Sequence, residues 1–195
     1  MVIPLKSRFI HMTEEEFFLF CQEMRGFHIE RDTEGTILIM ETTGSETGSF
    51  NADITTEVTL WNRQTQKGKT FDSSTGFTLP NKAVRSPDAA WIAIERWKAL
   101  SPEDRKRFAH ISPDFVVEIR SESDGFERLY EKMIEYQENG VRLAWLIDPI
   151  KEQVWIFRAG GAIEKVASFD IPLSGEEVLP GFELRLIDIW QRDVE

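Results

Sequence analysis

The chain has 195 residues, 41% of them hydrophobic, which is the size of one α/β domain with one substantial core. No apolar run approaches the roughly 20 residues that cross a bilayer, and the start of the chain lacks the apolar stretch of a secretory signal, so we expect a cytoplasmic protein. The formal net charge of −11 argues against a broad basic DNA-binding face. A divalent cation held by carboxylates could still bind phosphate. Cys21 is the only cysteine, which excludes an internal disulfide.

The N-terminal half predicts two helices on either side of a β-hairpin, followed by a strand. Thr13 before three glutamates is typical of an N-cap with an acidic first turn. Apolar residues recur at helical spacing from Phe50 to about Gln66. Residues 44–48 are expected to form a polar loop, and the apolar run 37–40 indicates a strand buried on both faces. The predicted order is helix 14–24, strands 27–31 and 36–40, helix 50–66 and strand 88–94.

The C-terminal half predicts a strand, a helix and a hairpin. Ser101 and Pro102 are typical of an N-cap and first helical position, so a short helix is expected before the chain reverses. Gly140 suits the end of an amphipathic helix, and Asp148-Pro149 suits a turn between two apolar strands. The predicted order is helix 102–108, strand 115–119, helix 126–139, strands 142–147 and 153–158, and strand 183–186.

Charged residues interrupt the core-like strand 115–119 and its flanks. Since side chains alternate in a strand, Asp114, Glu118 and Arg120 share one face. If strand 88–94 pairs antiparallel with this strand, the beginning of one lies beside the end of the other. The pairing would bring Asp88 close to Glu118 and Arg120.

Two carboxylates held close together, such as Asp88 and Glu118, repel each other unless a proton or a cation neutralises one of them. Mg²⁺ or Mn²⁺ is the best match, because these hard cations prefer oxygen ligands. Such a metal would activate water and stabilise charge on a phosphodiester. In the alternative interpretation, Glu118 and Arg120 form an ion pair on a partly solvated sheet face. The spacing alone leaves both open.

Several strings carry a family resemblance. Pro87-Asp88 and Glu118-Ile119-Arg120 resemble the P-D and (D/E)-X-K elements of restriction-endonuclease-type nucleases. The longer strings are 44–48 (GSETG) with Asn51, 71–77 (FDSSTGF), 86–91 (SPDAAW), 113–118 (PDFVVE), 145–149 (WLIDP) and 179–182 (LPGF). Over about 27–190, the chain resembles the Uma family of proteins described as restriction endonucleases, which is expanded in cyanobacteria and belongs to the PD-(D/E)XK nuclease superfamily.

The resemblance implies an α/β fold of the α+β type over residues 1–195. Its restriction-endonuclease-like core would be a mixed central β-sheet flanked by helices, with additional β-hairpins. Asp88 and Glu118 would be metal ligands, with the Ile119 carbonyl nearby. Arg120 stands where the superfamily has a catalytic lysine, and an arginine is a poor proton acceptor that can still clamp phosphate. Lys132 on the following helix is the implied substitute.

Other residues have weaker assignments. Lys132 could instead be a solvated helix lysine paired with Glu131 or Glu135. Glu46 and Asn51 occupy a region from which the superfamily often supplies a further site residue, although helix capping would also explain them. Asp114 opens its strand and is either a turn residue or a secondary site residue.

These features lead to two functional hypotheses. The first is a Mg²⁺- or Mn²⁺-dependent endonuclease acting on DNA, with Asp88, Glu118, Lys132 and Arg120 as catalytic residues. Such an enzyme needs two sites to cut both strands, so a homodimer is expected, with the hairpin 145–157 as its contact surface. The second is a catalytically degenerate binding or assembly module, which the acidic charge and Arg120 favour.

Overall fold

The computed structural model describes residues 2–5, 12–24, 26–40 and 42–190. The helices are α1 (Glu14–Glu23), α2 (Ser45–Thr65), α3 (Ile94–Ala99), α4 (Phe126–Glu138) and α5 (Leu186–Trp190). The strands are β1 (Val2–Leu5), β2 (His28–Arg31), β3 (Ile37–Met40), β4 (Gly68–Asp72), β5 (Phe77–Thr78), β6 (Val84–Arg85), β7 (Ala89–Ala93), β8 (Ala109–His110), β9 (Phe115–Ile119), β10 (Leu143–Asp148), β11 (Gln153–Arg158), β12 (Ile163–Val166), β13 (Leu173–Ser174) and β14 (Glu183–Leu184).

A mixed six-stranded sheet forms the centre of the fold, in the order β12-β11-β10-β9-β7-β4. β9 and β10 run parallel, whereas the other neighbours are antiparallel. Alternate residues of β9 face opposite sides. Phe115 and Val117 pack with α2, and Val116 packs with Met133 and Tyr136 of α4. The expected mixed sheet flanked by helices is therefore present.

A second six-stranded sheet, in the order β1-β3-β2-β6-β5-β8, lies beside the first. Helix α1 covers it with Phe17, which packs against Ile29, Ile37 and Val84. The chain passes from β6 to β7 through residues 86–88 only, so it crosses from the second sheet to the central sheet within three residues. This short crossing places Asp88 where the two sheets meet.

The capping prediction at Thr13 is confirmed. Its hydroxyl oxygen accepts a hydrogen bond from the Glu16 backbone, and the Glu16 carboxylate accepts one from the Thr13 backbone. The polar loop over 44–48 is wrong, because α2 already begins at Ser45. Full burial of 37–40 is also wrong. Only Ile37 is buried, since the small second sheet leaves the remainder half-exposed.

The region after β7 also differs from its prediction. The strand ends one residue early, and Ile94 begins helix α3, which was not predicted. The helix expected over 102–108 is a single 3-10 turn at Asp104–Lys106. Ser101 still caps this turn by accepting a hydrogen bond from the Asp104 backbone at 3.0 Å. The local capping chemistry is present, but too few residues follow it for a helix.

The β10–β11 hairpin was correctly predicted but is not a free surface. Trp145, Val154 and Phe157 are buried in the core of their own chain, and β12 pairs along the outer edge of β11. These buried strands are therefore not available as the expected dimer contact, and the homodimer stays a prediction. No helix in the described part of the chain is long and apolar enough to cross a membrane.

Candidate active site

The antiparallel register of β7 and β9 sets the position of the two central carboxylates. Ala89 pairs with Val117, so the antiparallel register places the preceding residue, Asp88, opposite the following one, Glu118. Glu118 lies on the same face as Val116, which is the face that α4 covers. The predicted pairing is present, and both residues line one open cleft of about 440 Å³.

Both oxygens of Asp88 are fixed. Oδ2 accepts a hydrogen bond from the Ile119 backbone at 2.7 Å, which ties the carboxylate to β9. Oδ1 accepts one from the Asn51 amide of α2 at 3.0 Å. Thr55, one turn further along α2, donates to the amide oxygen of Asn51 at 3.2 Å and so orients it. Asn51 is thus a partner of Asp88, whereas Gly44 takes the N-cap position of α2.

Glu118 is held by two donors from α4. Lys132 Nζ lies 2.7 Å from Glu118 Oε1, and the Tyr136 hydroxyl donates to the same oxygen at 3.0 Å. Residues four apart on a helix lie on one face, so α4 directs both groups at this carboxylate. Only 9% of the Lys132 side chain is exposed, which rules out the solvated alternative.

The second sheet contributes a carboxylate that the sequence did not suggest. Glu30 of β2 is buried, and its Oε1 lies 2.7 Å from Lys132 Nζ. The same oxygen accepts a hydrogen bond from the Ser86 backbone at 3.0 Å, and Oε2 lies 3.1 Å from Arg85. Arg85 also pairs with Glu135 at 2.5 Å. Glu30 was not recognised because polar and apolar residues alternate around it in a short strand. This pattern predicts that the polar side chains face solvent.

The cluster has more negative than positive groups. Among the described residues of this cluster, the four carboxylates of Asp88, Glu30, Glu118 and Glu135 face the two cations Lys132 and Arg85, which leaves a surplus of two negative charges when all six are ionised. Buried like charges raise one another's pKa or attract a cation. The charge surplus therefore favours a divalent cation in the cleft.

The pKa shifts follow from burial and from the shared lysine. Burial raises the pKa of Asp88 to about 6, against the opposing hydrogen bond from Ile119. Burial also raises the pKa of Glu118, and the charges of Asp88 and Glu30 add to this effect. Burial alone would raise the pKa of Glu30 too, but Lys132 and Arg85 outweigh it and lower the value.

The pKa of Lys132 moves in the direction that keeps its charge. Burial alone would lower it, but Glu118 and Glu30 outweigh burial and raise the pKa of Lys132 above its ordinary value. The side chain is therefore an ammonium group at neutral pH, held between two carboxylates. An ammonium group has three N–H donors, so two ion pairs leave one donor for a further ligand.

Of the other predicted site residues, Glu46 lies in the cleft and Arg120 does not contact the cluster. Glu46 lines the same cleft from the first turn of α2. Arg120 is turned away, because its guanidinium lies 2.9 Å from Asp148 Oδ2 on the neighbouring strand β10. The alternative ion pair of Arg120 with Glu118 is accordingly wrong.

Asp114 lies at the opposite end of β9, four residues from Glu118, which in a strand is about 13 Å. It is buried and accepts a hydrogen bond from the Ala93 backbone at 2.8 Å. Arg96 and Arg142 lie 2.9 and 3.5 Å from its Oδ1. The structure thus gives Asp114 ion-pair partners of its own and does not bring it together with Asp88 and Glu118.

The donor set fits a hard divalent cation. No group of three or more potential His, Cys, Asp or Glu ligands occurs within the described ranges, so a fully protein-made cage is not present there. Mg²⁺ does not need such a cage, because it commonly binds one or two carboxylates and keeps several waters or substrate phosphates. Asp88 and Glu118 in an open cleft match this requirement.

Residues 14–187 match the model of the Uma2 family, described as "Putative restriction endonuclease". A search of curated proteins finds no match.

A solved structure also resembles the chain. It is the crystal structure of a "putative nuclease belonging to DUF820" from Anabaena variabilis ATCC 29413, with a TM-score of 0.74 and 17% sequence identity over 93% of this chain and 98% of that one. At this identity the likeness shows the shared fold. The family match spans most of the sequence, and the chain therefore belongs to the Uma2 family.

Proposed function

We propose that the protein is a Mg²⁺- or Mn²⁺-dependent endonuclease that hydrolyses phosphodiester bonds of DNA. The observation that carries the proposal is the pair Asp88 and Glu118, which face one cleft beside the fixed ammonium group of Lys132. The family description supports the same class of reaction.

Asp88 and Glu118 would hold the cation. When bound, the metal would polarise the phosphodiester and make a water molecule more acidic. Asn51 and the Ile119 backbone keep the Asp88 carboxylate in place before any cation arrives. Such preorganisation avoids reorganisation during the reaction.

Lys132 would stabilise negative charge on the phosphate in the transition state. Its charge is maintained by Glu30 and Glu118, and its third N–H is available to a phosphate oxygen. Since the group stays protonated, it does not accept the proton of the attacking water. Arg120 is left out of this proposal, because Asp148 already binds its guanidinium.

Nuclease assays on supercoiled plasmid and on single-stranded DNA, with Mg²⁺ or Mn²⁺, test the function. We expect cleavage by the wild type, loss of cleavage in Asp88→Asn, and wild-type cleavage in Asp170→Asn. Asp170 is an exposed aspartate outside the cleft, so it controls for the loss of one charge.

Calorimetric titration with Mn²⁺ provides an independent measurement. Asp88→Asn should lose cation binding, because an amide is neutral and a weaker ligand. A wild-type protein that neither binds Mn²⁺ nor cleaves DNA would overturn the proposal and favour the binding or assembly module.

A further inference from the structure

A second cleft adjoins the candidate active site. Its volume is about 750 Å³, and it lies between α1, α2 and the loop that follows β4. The two clefts share His28, Thr42, Thr43 and Asp88 as lining residues. The second cleft is therefore within reach of a nucleotide next to a phosphate that lies at Asp88.

The described lining of the second cleft suits a neutral ligand better than a phosphate. Among the described residues, neither lysine nor arginine lines it, and its ionisable acids are Asp72 and Asp88. Within this described lining, a flanking phosphate would face two carboxylates and no lysine or arginine. The wall instead carries neutral hydrogen-bonding side chains, namely Gln22, Thr42, Thr43, Asn51, Thr55, Ser73, Ser74 and Ser86.

An exposed aromatic ring lies on this wall. Phe27 is 53% exposed, although it is a large hydrophobic side chain. Aromatic rings of this kind stack on nucleobases, and neutral polar groups can bond to the base edges. A flat, uncharged, polar-edged ligand fits these surroundings better than a sugar-phosphate segment.

We propose that the second cleft receives an unpaired nucleobase next to the scissile phosphate. The preferred substrate would accordingly be DNA with a single-stranded nucleotide at the cleavage site, because a base inside a duplex is stacked and paired and enters a cleft only at the energetic cost of being flipped out. This inference deepens the proposed nuclease function and rests on it for the position of the phosphate.

Binding of a fluorescent oligonucleotide, followed by anisotropy with Ca²⁺ as the divalent cation at the oxygen ligands, measures binding rather than cleavage and so tests the inference separately from catalysis. We expect the wild type to bind a short single strand more tightly than the matching duplex. Phe27→Ala should weaken single-strand binding about 10-fold, since base stacking on an aromatic ring is lost. Phe27→Trp should retain binding, and Ile150→Ala, which removes an exposed side chain outside the cleft, should have no effect.

The effect of Phe27→Ala should persist when the salt concentration is raised, because stacking is not screened as phosphate contacts are. Equal binding by wild type and Phe27→Ala, equal binding of single strand and duplex, or no binding of the single strand would each overturn the inference. Single-strand binding that depends on Phe27, in a protein that cleaves no DNA, would support the base-binding cleft and reject the nuclease.

Discussion

Lys132 connects the two carboxylates that come from different sheets. Its ammonium group lies 2.7 Å from both Glu30 and Glu118, and 9% of its side chain is exposed. A charge in this position neutralises its neighbours and can also contact a bound phosphate. A substitution of Lys132 therefore tests the role of its charge without removing either of the proposed metal ligands.

We predict that Lys132→Met abolishes cleavage and leaves Mn²⁺ binding within a few-fold of wild type. Methionine has a similar volume but no charge, so the two carboxylates should depend more on the cation. Added Mn²⁺ should therefore still raise the melting temperature of the variant, as it does that of the wild type. Lys132→Arg should restore little activity, because a planar guanidinium differs in shape from an ammonium.

Activity, calorimetry and thermal melting measure these effects, with Lys151→Met in the exposed turn after β10 as the control. If the Lys132→Met protein were active, the proposed catalytic role of Lys132 would be wrong and another cation would have to provide it.

Glu30 is predicted to be a positioning residue. Removing it leaves Lys132 and Arg85 short of a buried counter-charge. Glu30→Ala should therefore cost about 3–5 kcal/mol of unfolding free energy in urea. The isosteric Glu30→Gln should fold better and lose kcat while KM changes little, because Lys132 is then less firmly placed.

The control is Glu177→Ala, an exposed glutamate whose loss should change stability by less than about 0.5 kcal/mol. Equal kcat in Glu30→Gln and wild type would show that Glu30 has a structural role alone.

At the scale of elements, His110 joins the 3-10 turn and β8 to helix α1. Its ring nitrogens lie 2.7 Å from Asp104 and 3.0 Å from Glu14. The hydrogen bonds to Asp104 and Glu14 raise the pKa of His110. A raised pKa in the folded state adds stability below the ordinary pKa, and this contribution is lost as the pH rises through the folded value.

We predict that deprotonation of His110 lowers the unfolding free energy of the wild type by about 0.5 kcal/mol between mildly acidic and alkaline pH. The effect is small because solvent screens a half-exposed ion pair. Urea unfolding at both pH values should show that His110→Gln lacks this loss. Glu14→Gln should reduce it by removing one partner. If the unfolding free energy of His110→Gln had the same pH dependence as that of the wild type, the ion pairs of His110 would not be its cause.

The contact between α2 and the edge of the central sheet depends on Gly68. A Cβ at this position would lie 2.2 Å from the Ile92 carbonyl oxygen and 2.4 Å from the Trp91 ring. Asn62 of α2 fixes the arrangement, since its side-chain oxygen accepts hydrogen bonds from Gly68 at 3.0 Å and from Trp91 at 2.8 Å.

Gly68→Ala is predicted to destabilise the protein by about 3 kcal/mol or more, because backbone and a buried ring must shift. Gly125→Ala, where a Cβ meets open space, is the matched control and should change stability little. Chemical denaturation compares the two. A Gly68→Ala protein as stable as wild type would mean that β4 can move away from β7 at little cost.

For the whole molecule, we propose a homodimer, because a nuclease that cuts both strands of a DNA carrying an unpaired nucleotide needs two sites. Light scattering should then give about 45 kDa, twice the 22.6 kDa of one chain. The apolar strands of the β10–β11 hairpin are buried, so we expect the contact at another surface. A monomer mass at micromolar concentration would contradict the dimer and agree with single-strand cleavage.

The sequence by itself determined the elements with strong local patterns. The Thr13 cap, the strand 115–119 and the helix ending before Gly140 all follow from short-range chemistry, and they are present. Alternation in β9, together with its pairing to β7, was enough to bring Asp88 beside Glu118. The family resemblance added Lys132 as a residue near that pair.

The tertiary structure decided the partners of the charged residues. Glu30 precedes Lys132 by about a hundred residues, and only the packing of the second sheet against α4 brings them together. Arg120 binds Asp148 because β10 runs parallel to β9 and presents that carboxylate beside it. A local pattern fixes which face a side chain occupies, whereas the partner on that face depends on long-range strand pairing and helix packing.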